Sequence, residues 1–154
     1  MEHLFTLQAE WQGGRGGEGT IAAGGLNAAV SIPSVMGGPG IGTNPDEMLL
    51  GAASTCYLIT LAAMLERSGI EPERLSLRSE AVVDTSSGVY TYVSITHKPD
   101  ILLPASASVR QADTAGKLAE KAERTCMISK ALRGNVAVSA VPEIAIGQEK
   151  GGKP

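Results

Sequence analysis

The rhythm of apolar and polar positions changes several times along this chain, and each rhythm predicts an element. The densest apolar stretch runs from Met48 to Leu65. Met48, Leu49, Leu50, Ala52, Ala53, Leu58, Ile59, Leu61, Ala62, Ala63, Met64 and Leu65 fall on nearly every side of a helix. A helix apolar all round is expected to be buried. Its start is marked by Asn44, a good N-cap, and by Pro45 at the first helical position, where the missing N–H costs nothing. Glu47 is placed to reach back as in a capping box. Gly69 is placed to end the helix in the left-handed conformation, with Arg67 near the negative pole. About 23 residues at ~1.5 Å each make a rod roughly 35 Å long. Cys56 stands in its middle.

Alternation predicts strands elsewhere. Residues 4–11 read as a strand, Gly13-Gly14-Arg15-Gly16-Gly17 as a turn, and Thr20–Gly24 and Leu26–Ile32 as further strands of a meander. A Gly/Pro loop from Pro33 to Thr43 then delivers the chain to the long helix. Leu75, Leu77, Ala81 and Val83 predict a strand that turns at Ser86-Ser87-Gly88 and returns over Val89–His97. Lys98-Pro99-Asp100 is expected to break that strand. Val109, Ala112, Ala115, Leu118, Ala122 and Cys126 recur at helical spacing, with Glu120 and Arg124 on the wet side. A short helix over 127–132, closed by Gly134, and one last strand over 136–144 complete the pattern. The polar tail 147–154 is expected to be disordered. This order of elements describes a single α+β domain over residues 1–154.

Composition narrows the function. The chain has 154 residues, 43% hydrophobic and 19% charged, with a net charge of −3 and no basic block, so nucleic-acid binding gains no support. One tryptophan, three tyrosines and one phenylalanine leave the core to aliphatic side chains. Ser54, Thr55, Cys56 and Glu66 interrupt the apolar helix, and no membrane span is expected. The first residues lack the pattern of a secretory leader, which points to the cytoplasm. Two cysteines are too few for a disulfide scaffold and read as buried thiols, a redox pair or catalytic groups.

Cys56 lies too deep in its own helix to be ionised by that helix's dipole. Lowering a thiol pKa from ~8.5 to ~6 takes about 3.4 kcal/mol. One nearby, partly desolvated arginine supplies energy of that order. Arg15, held between glycine pairs, is the candidate, and its alternative is an exposed hairpin-tip arginine. The same glycines spell Gly14-x-Gly16-x-x-Gly19, but a strand follows where a dinucleotide site requires a helix. Cys126, between two predicted helices, is either packing or a second reactive thiol. If the fold brings it to Cys56, one sulfur attacks and the other resolves. His3 and His97 are isolated and, with two cysteines, do not make a zinc site.

Gly13-Gly14-Arg15-Gly16, then Thr43-Asn44-Pro45-Asp46-Glu47-Met48-Leu49 with Ala52-Ala53-x-x-Cys56, then Ala122-Glu123-x-x-Cys126-x-x-Ser129-Lys130-Ala131-Leu132, together resemble the OsmC/Ohr family of thiol peroxidases. The resemblance implies an intertwined homodimer, with long central helices against antiparallel sheets and active sites at the interface. It implies a peroxidatic Cys56, a resolving Cys126, an Arg15 that stabilises the thiolate and orients an organic hydroperoxide, and an Asp46 that holds the arginine. The implied reductant is a dithiol such as protein-bound dihydrolipoamide. No metal or organic cofactor is called for, because sulfur carries the two electrons. Two departures stand out. Asp46 is one methylene shorter than the family's usual glutamate, which brings Glu47 into consideration as a helper. Met127 replaces the proline that usually follows the second cysteine. The rival expectation is an OsmC-fold dimer that binds a partner and has lost or changed its activity.

Overall fold

The computed structural model describes residues 1–148, so the expectation of a disordered tail lies, from residue 149 on, outside the described residues. The chain clusters into two compact units, one up to Leu49 and one from Leu50.

The N-terminal unit is a three-stranded antiparallel meander of β1 (Gln8–Gln12), β2 (Glu18–Ala23) and β3 (Leu26–Ser31). The first strand is shorter than its alternation predicted: residues 4–7 are exposed and unpaired in the ladder. The β1–β2 turn needs its glycines, since a Cβ on Gly17 would collide with the Gln12 carbonyl. The Gly/Pro loop is an ordered feature. It contains a 3₁₀ turn, Ser34–Met36, and folds back on β3. Ser31 is 3% exposed, and its hydroxyl donates to the Ile41 carbonyl (2.8 Å). Thr43 N–H donates to the Ala29 carbonyl (2.9 Å), so the loop ends as an added edge beside β3.

The long helix, α1, spans Pro45–Arg67. Asn44 caps it as expected, its Oδ1 accepting from Glu47 N–H (3.0 Å). The capping box does not form: the Glu47 carboxylate instead accepts from the Thr43 hydroxyl (2.8 Å). At the other end Gly69, at φ 67, completes a Schellman motif, with Ile70 N–H bonded to Leu65 O and Gly69 N–H to Glu66 O, both 3.0 Å. Leu65 and Ile70 are both buried in the core, the apolar contact that accompanies this cap.

Burial of α1 corrects the expectation drawn from its composition. Only Ala53, Tyr57, Leu61 and Leu65 are buried, a single i, i+4 stripe, while Ile59 is 70% exposed. By length and hydropathy α1 would cross a bilayer. The Tyr57–Leu65 stripe is instead the centre of a packed core with Ile101, Leu103, Ala115, Ala119 and Ala122.

That core belongs to the C-terminal unit. Its sheet consists of β4 (Arg74–Asp84), β5 (Thr91–Leu103), β6 (Ala137–Ala140) and β7 (Glu143–Ile146). β4 and β5 are antiparallel, and β6 and β7 both run parallel to β5 on its other edge. Two sequence expectations change here. Pro99 does not break β5, and the last strand is two strands. The causes are linked. The His97 and Leu103 carbonyls bond towards the β6/β7 side (Val141 N–H and Gly147 N–H, 2.8 Å each), so Pro99, in the same phase, would present its missing N–H there. β6 pairs with residues up to His97 and β7 with residues from Asp100. The proline therefore falls in the gap between them, where no donor is needed.

Two helices complete the unit. α2 (Val109–Thr125) opens with a capping box between Ser108 and Gln111 and buries a face of alanines, which lets neighbours approach closely. α3 is Met127–Leu132.

Candidate active site

Cys126 is the joint between α2 and α3. Its N–H donates to the Ala122 carbonyl (2.9 Å), finishing α2, and its carbonyl accepts from Lys130 N–H (3.0 Å), starting α3. Cys126 itself is extended, with φ −54 and ψ 131, and this divides the run into two helices. The side chain is 0% exposed. Cys56, on the middle of α1, is half-buried, and neither cysteine is in a disulfide.

The fold brings the two sulfurs within hydrogen-bonding reach, with opposite consequences. For Cys56, burial pushes the pKa up, but four donors outweigh it and hold the thiol below its ordinary value. They are the Cys126 thiol, the N–H groups of Ile128 and Met127 at the start of α3, and the Thr60 hydroxyl. The Thr60 contribution is the smallest, and the Thr60 hydroxyl also donates to the Cys56 carbonyl (2.8 Å). For Cys126, burial and the bond it donates to Cys56 push the pKa up, against weaker opposing help from Ser129 and Ile128. The pair is therefore polarised, with Cys56 the better anion and Cys126 the proton holder. All of these donors are neutral groups of the C-terminal unit.

Next to Cys56, Tyr57 ties three elements together. Its hydroxyl donates to the Ala119 carbonyl of α2 (3.0 Å), and its ring stacks on His97 of β5 at 4.5 Å between centroids, 12° between planes. Burial, then the negative charge of Glu123, pushes the Tyr57 pKa upward, so the hydroxyl stays a donor. His97 is 0% exposed, with Nδ1 bonded to Ser79 Oγ (2.8 Å) and Nε2 without a partner among the described residues. Burial lowers its pKa to about 4, so the ring stacked on Tyr57 is neutral near pH 7.

Arg15, Asp46 and Glu47 belong to the N-terminal unit. Arg15 is exposed at the β1–β2 turn, and its Nη2 donates to the Met36 carbonyl presented by the 3₁₀ turn (2.9 Å). Asp46 is half-buried in the first turn of α1, and Glu47 is held by Thr43.

Sequence reasoning missed three participants. Thr60 was recoverable, being one helical turn beyond Cys56. His97 shares the strand phase of the buried Ile95, so its burial was legible although its stacking partner was not. The Met127 and Ile128 N–H groups carry no side-chain signal.

The chain is similar to several known proteins. The family model described as OsmC-like protein matches residues 37–141. The chain is 51% identical over 148 residues to the uncharacterized protein YmaD of Bacillus subtilis, covering 96% of this chain and 99% of that one. It is 30% identical to an organic hydroperoxide resistance protein of Xanthomonas axonopodis pv. citri, covering 88% and 92% of the two chains. Among solved structures, an organic hydroperoxide resistance protein OsmC from Legionella pneumophila superposes with a TM-score of 0.72 at 24% identity, covering 92% of this chain and 99% of that one. OhrB of Bacillus subtilis superposes with a TM-score of 0.63 at 25% identity, covering 92% and 100%.

Proposed function

The chain belongs to the OsmC-like protein family, and from that premise we propose that it is a cysteine-based peroxidase. It reduces organic hydroperoxides, and hydrogen peroxide less well, to the corresponding alcohol or water. The observation that carries this reading is that the fold brings the half-buried Cys56 of α1 against the buried Cys126 and the first N–H groups of α3. The Cys56 thiolate attacks a peroxide oxygen, the O–O bond breaks, and an alcohol leaves after protonation. Cys56 becomes a sulfenic acid. Cys126 then displaces the sulfenic hydroxyl as water and forms an intramolecular disulfide. A dithiol, of which protein-bound dihydrolipoamide is one form, returns both cysteines to thiols by exchange.

In this reading Arg15 steadies the Cys56 thiolate and orients the peroxide, and Asp46 holds the guanidinium, with Glu47 as a helper. The acting form is a homodimer. The apolar side chains of α1 left open by a single chain, Ile59 foremost, support it, since a large exposed apolar face marks an interaction surface. A reducing, cytoplasmic setting fits two thiols that must cycle.

The test is consumption of cumene hydroperoxide with a dithiol reductant. Cys56→Ser is expected to abolish turnover, Cys126→Ser to permit one oxidation without recycling, and Arg15→Ala to lower kcat/KM. Asp46 and Met127, the two family departures, favour a second reading in which the dimer binds a partner without turnover. No consumption by the wild type with any dithiol would decide for it.

A further inference from the structure

Ser129 is 2% exposed, and its hydroxyl has no hydrogen-bond partner among the described residues. Leaving a buried hydroxyl unpaired is unfavourable, so one that persists points to a second state in which it is used. Its position narrows that state. Cys126 is the N-cap of α3 and Ser129 its third residue, the position that a capping box brings back to the N-cap. No cap bond joins them in the reduced protein. A protonated thiol is a weak acceptor, whereas a thiolate accepts strongly. The N–H and the hydroxyl of Ser129 both favour the charged form of Cys126.

We propose that Ser129 is the hydrogen-bond donor that stabilises the Cys126 thiolate formed on the way to disulfide closure. The proposal rests on the peroxidase reading above. While Cys56 is a thiolate, Cys126 keeps its proton and donates it towards Cys56, and the Ser129 hydroxyl, though beside the Cys126 sulfur, completes no hydrogen bond among the described residues. After oxidation the Cys56 sulfur carries a hydroxyl. Cys126 first gives up its proton and no longer donates to Cys56, and the Ser129 O–H turns to the resulting thiolate. Its electron pair then forms the S–S bond as the Cys56 S–O bond breaks, and the hydroxyl leaves with that proton as water.

The experiment mixes reduced protein with one equivalent of cumene hydroperoxide, quenches with acid over time, and counts Cys56 sulfenic acid and Cys56–Cys126 disulfide by mass spectrometry. One lost hydrogen bond to a charged sulfur raises its pKa by about one unit. After the compensating gain in nucleophilicity, closure slows by about threefold. Ser129→Ala is therefore expected to lower the rate of closure relative to sulfenic acid formation by about that factor, with the melting temperature unchanged or slightly raised. A second arm needs no peroxide. In a Cys56→Ser background, ultraviolet titration of the Cys126 thiolate is expected to move up by about one pH unit on adding Ser129→Ala. Equal closure ratios and superimposable titrations overturn the assignment. So does a sharply lower melting temperature with neither readout changed, which marks a packing role. If the wild type forms no sulfenic acid, the peroxidase reading fails, and the titration still decides the role of Ser129.

Discussion

Cys56 and Cys126 are the same residue in two contrasting settings. Cys56 sits inside a long regular helix whose own dipole cannot reach it, is half-open, and receives donors from elsewhere. Cys126 sits at a break between helices, is sealed from solvent, and donates. A thiol in mid-helix has no free backbone N–H nearby, because those groups are spent on the helix. A second element must bring them, and α3 does so with its first N–H groups. The contrast teaches that nucleophile and resolver are distinguished by which neighbour ends where, and Tyr57 keeps those ends in register by bonding α1 to α2.

The largest expected effect breaks that register. Tyr57→Ala removes a fully buried aromatic together with its bond to Ala119, and is expected to cost about 3–5 kcal/mol of stability by chemical denaturation. The surviving folded protein is expected to lose the difference in alkylation rate between Cys56 and an ordinary thiol.

Next comes the support beneath Tyr57. His97 is neutral in the fold, with a pKa near 4 against 6.5 unfolded. A depressed pKa means that the unfolded chain takes up the proton first. Stability is then complete above about pH 6.5, falls as pH drops towards 4, and levels below it. The loss over that window is roughly 3 kcal/mol. His97→Leu is expected to remove most of this slope in urea denaturation at pH 7 and pH 4.5, whatever its effect at pH 7. A slope unchanged in the variant would place the pH sensitivity elsewhere.

The smallest effect sharpens the contrast itself. Met127→Pro deletes one N–H that favours the Cys56 thiolate, at a helical first position where proline fits. Cys56 is expected to titrate about one unit higher and to alkylate severalfold more slowly at pH 7, while Met127→Ala matches the wild type. Equal rates in all three proteins would show that the Ile128 and Cys126 donors suffice.

Much of the fold was legible because it rests on local rules. Asn44, Pro45 and Gly69 bound α1 to within two residues, because caps act within one turn. The 126/127 boundary between α2 and α3 was legible for the same reason. Pro99 misled, because its missing N–H is harmful only where a partner strand needs it. The split of β6 from β7 that spares it is a long-range pairing. Apolar density in α1 predicted burial, yet one stripe is buried in this chain, since composition does not say which sides a neighbour covers.

By itself the sequence determined the element order, the ends of the long helix, two reactive-residue candidates and, through its combined motifs, the family. Those are matters of spacing and local conformation. Only the tertiary structure decided that the two sulfurs meet, which of them is the better anion, that His97 is buried under Tyr57, and that a buried serine hydroxyl stands beside the second sulfur. Each depends on groups far apart in the chain whose separation is set by packing, and a pKa follows from that separation rather than from the residue's name.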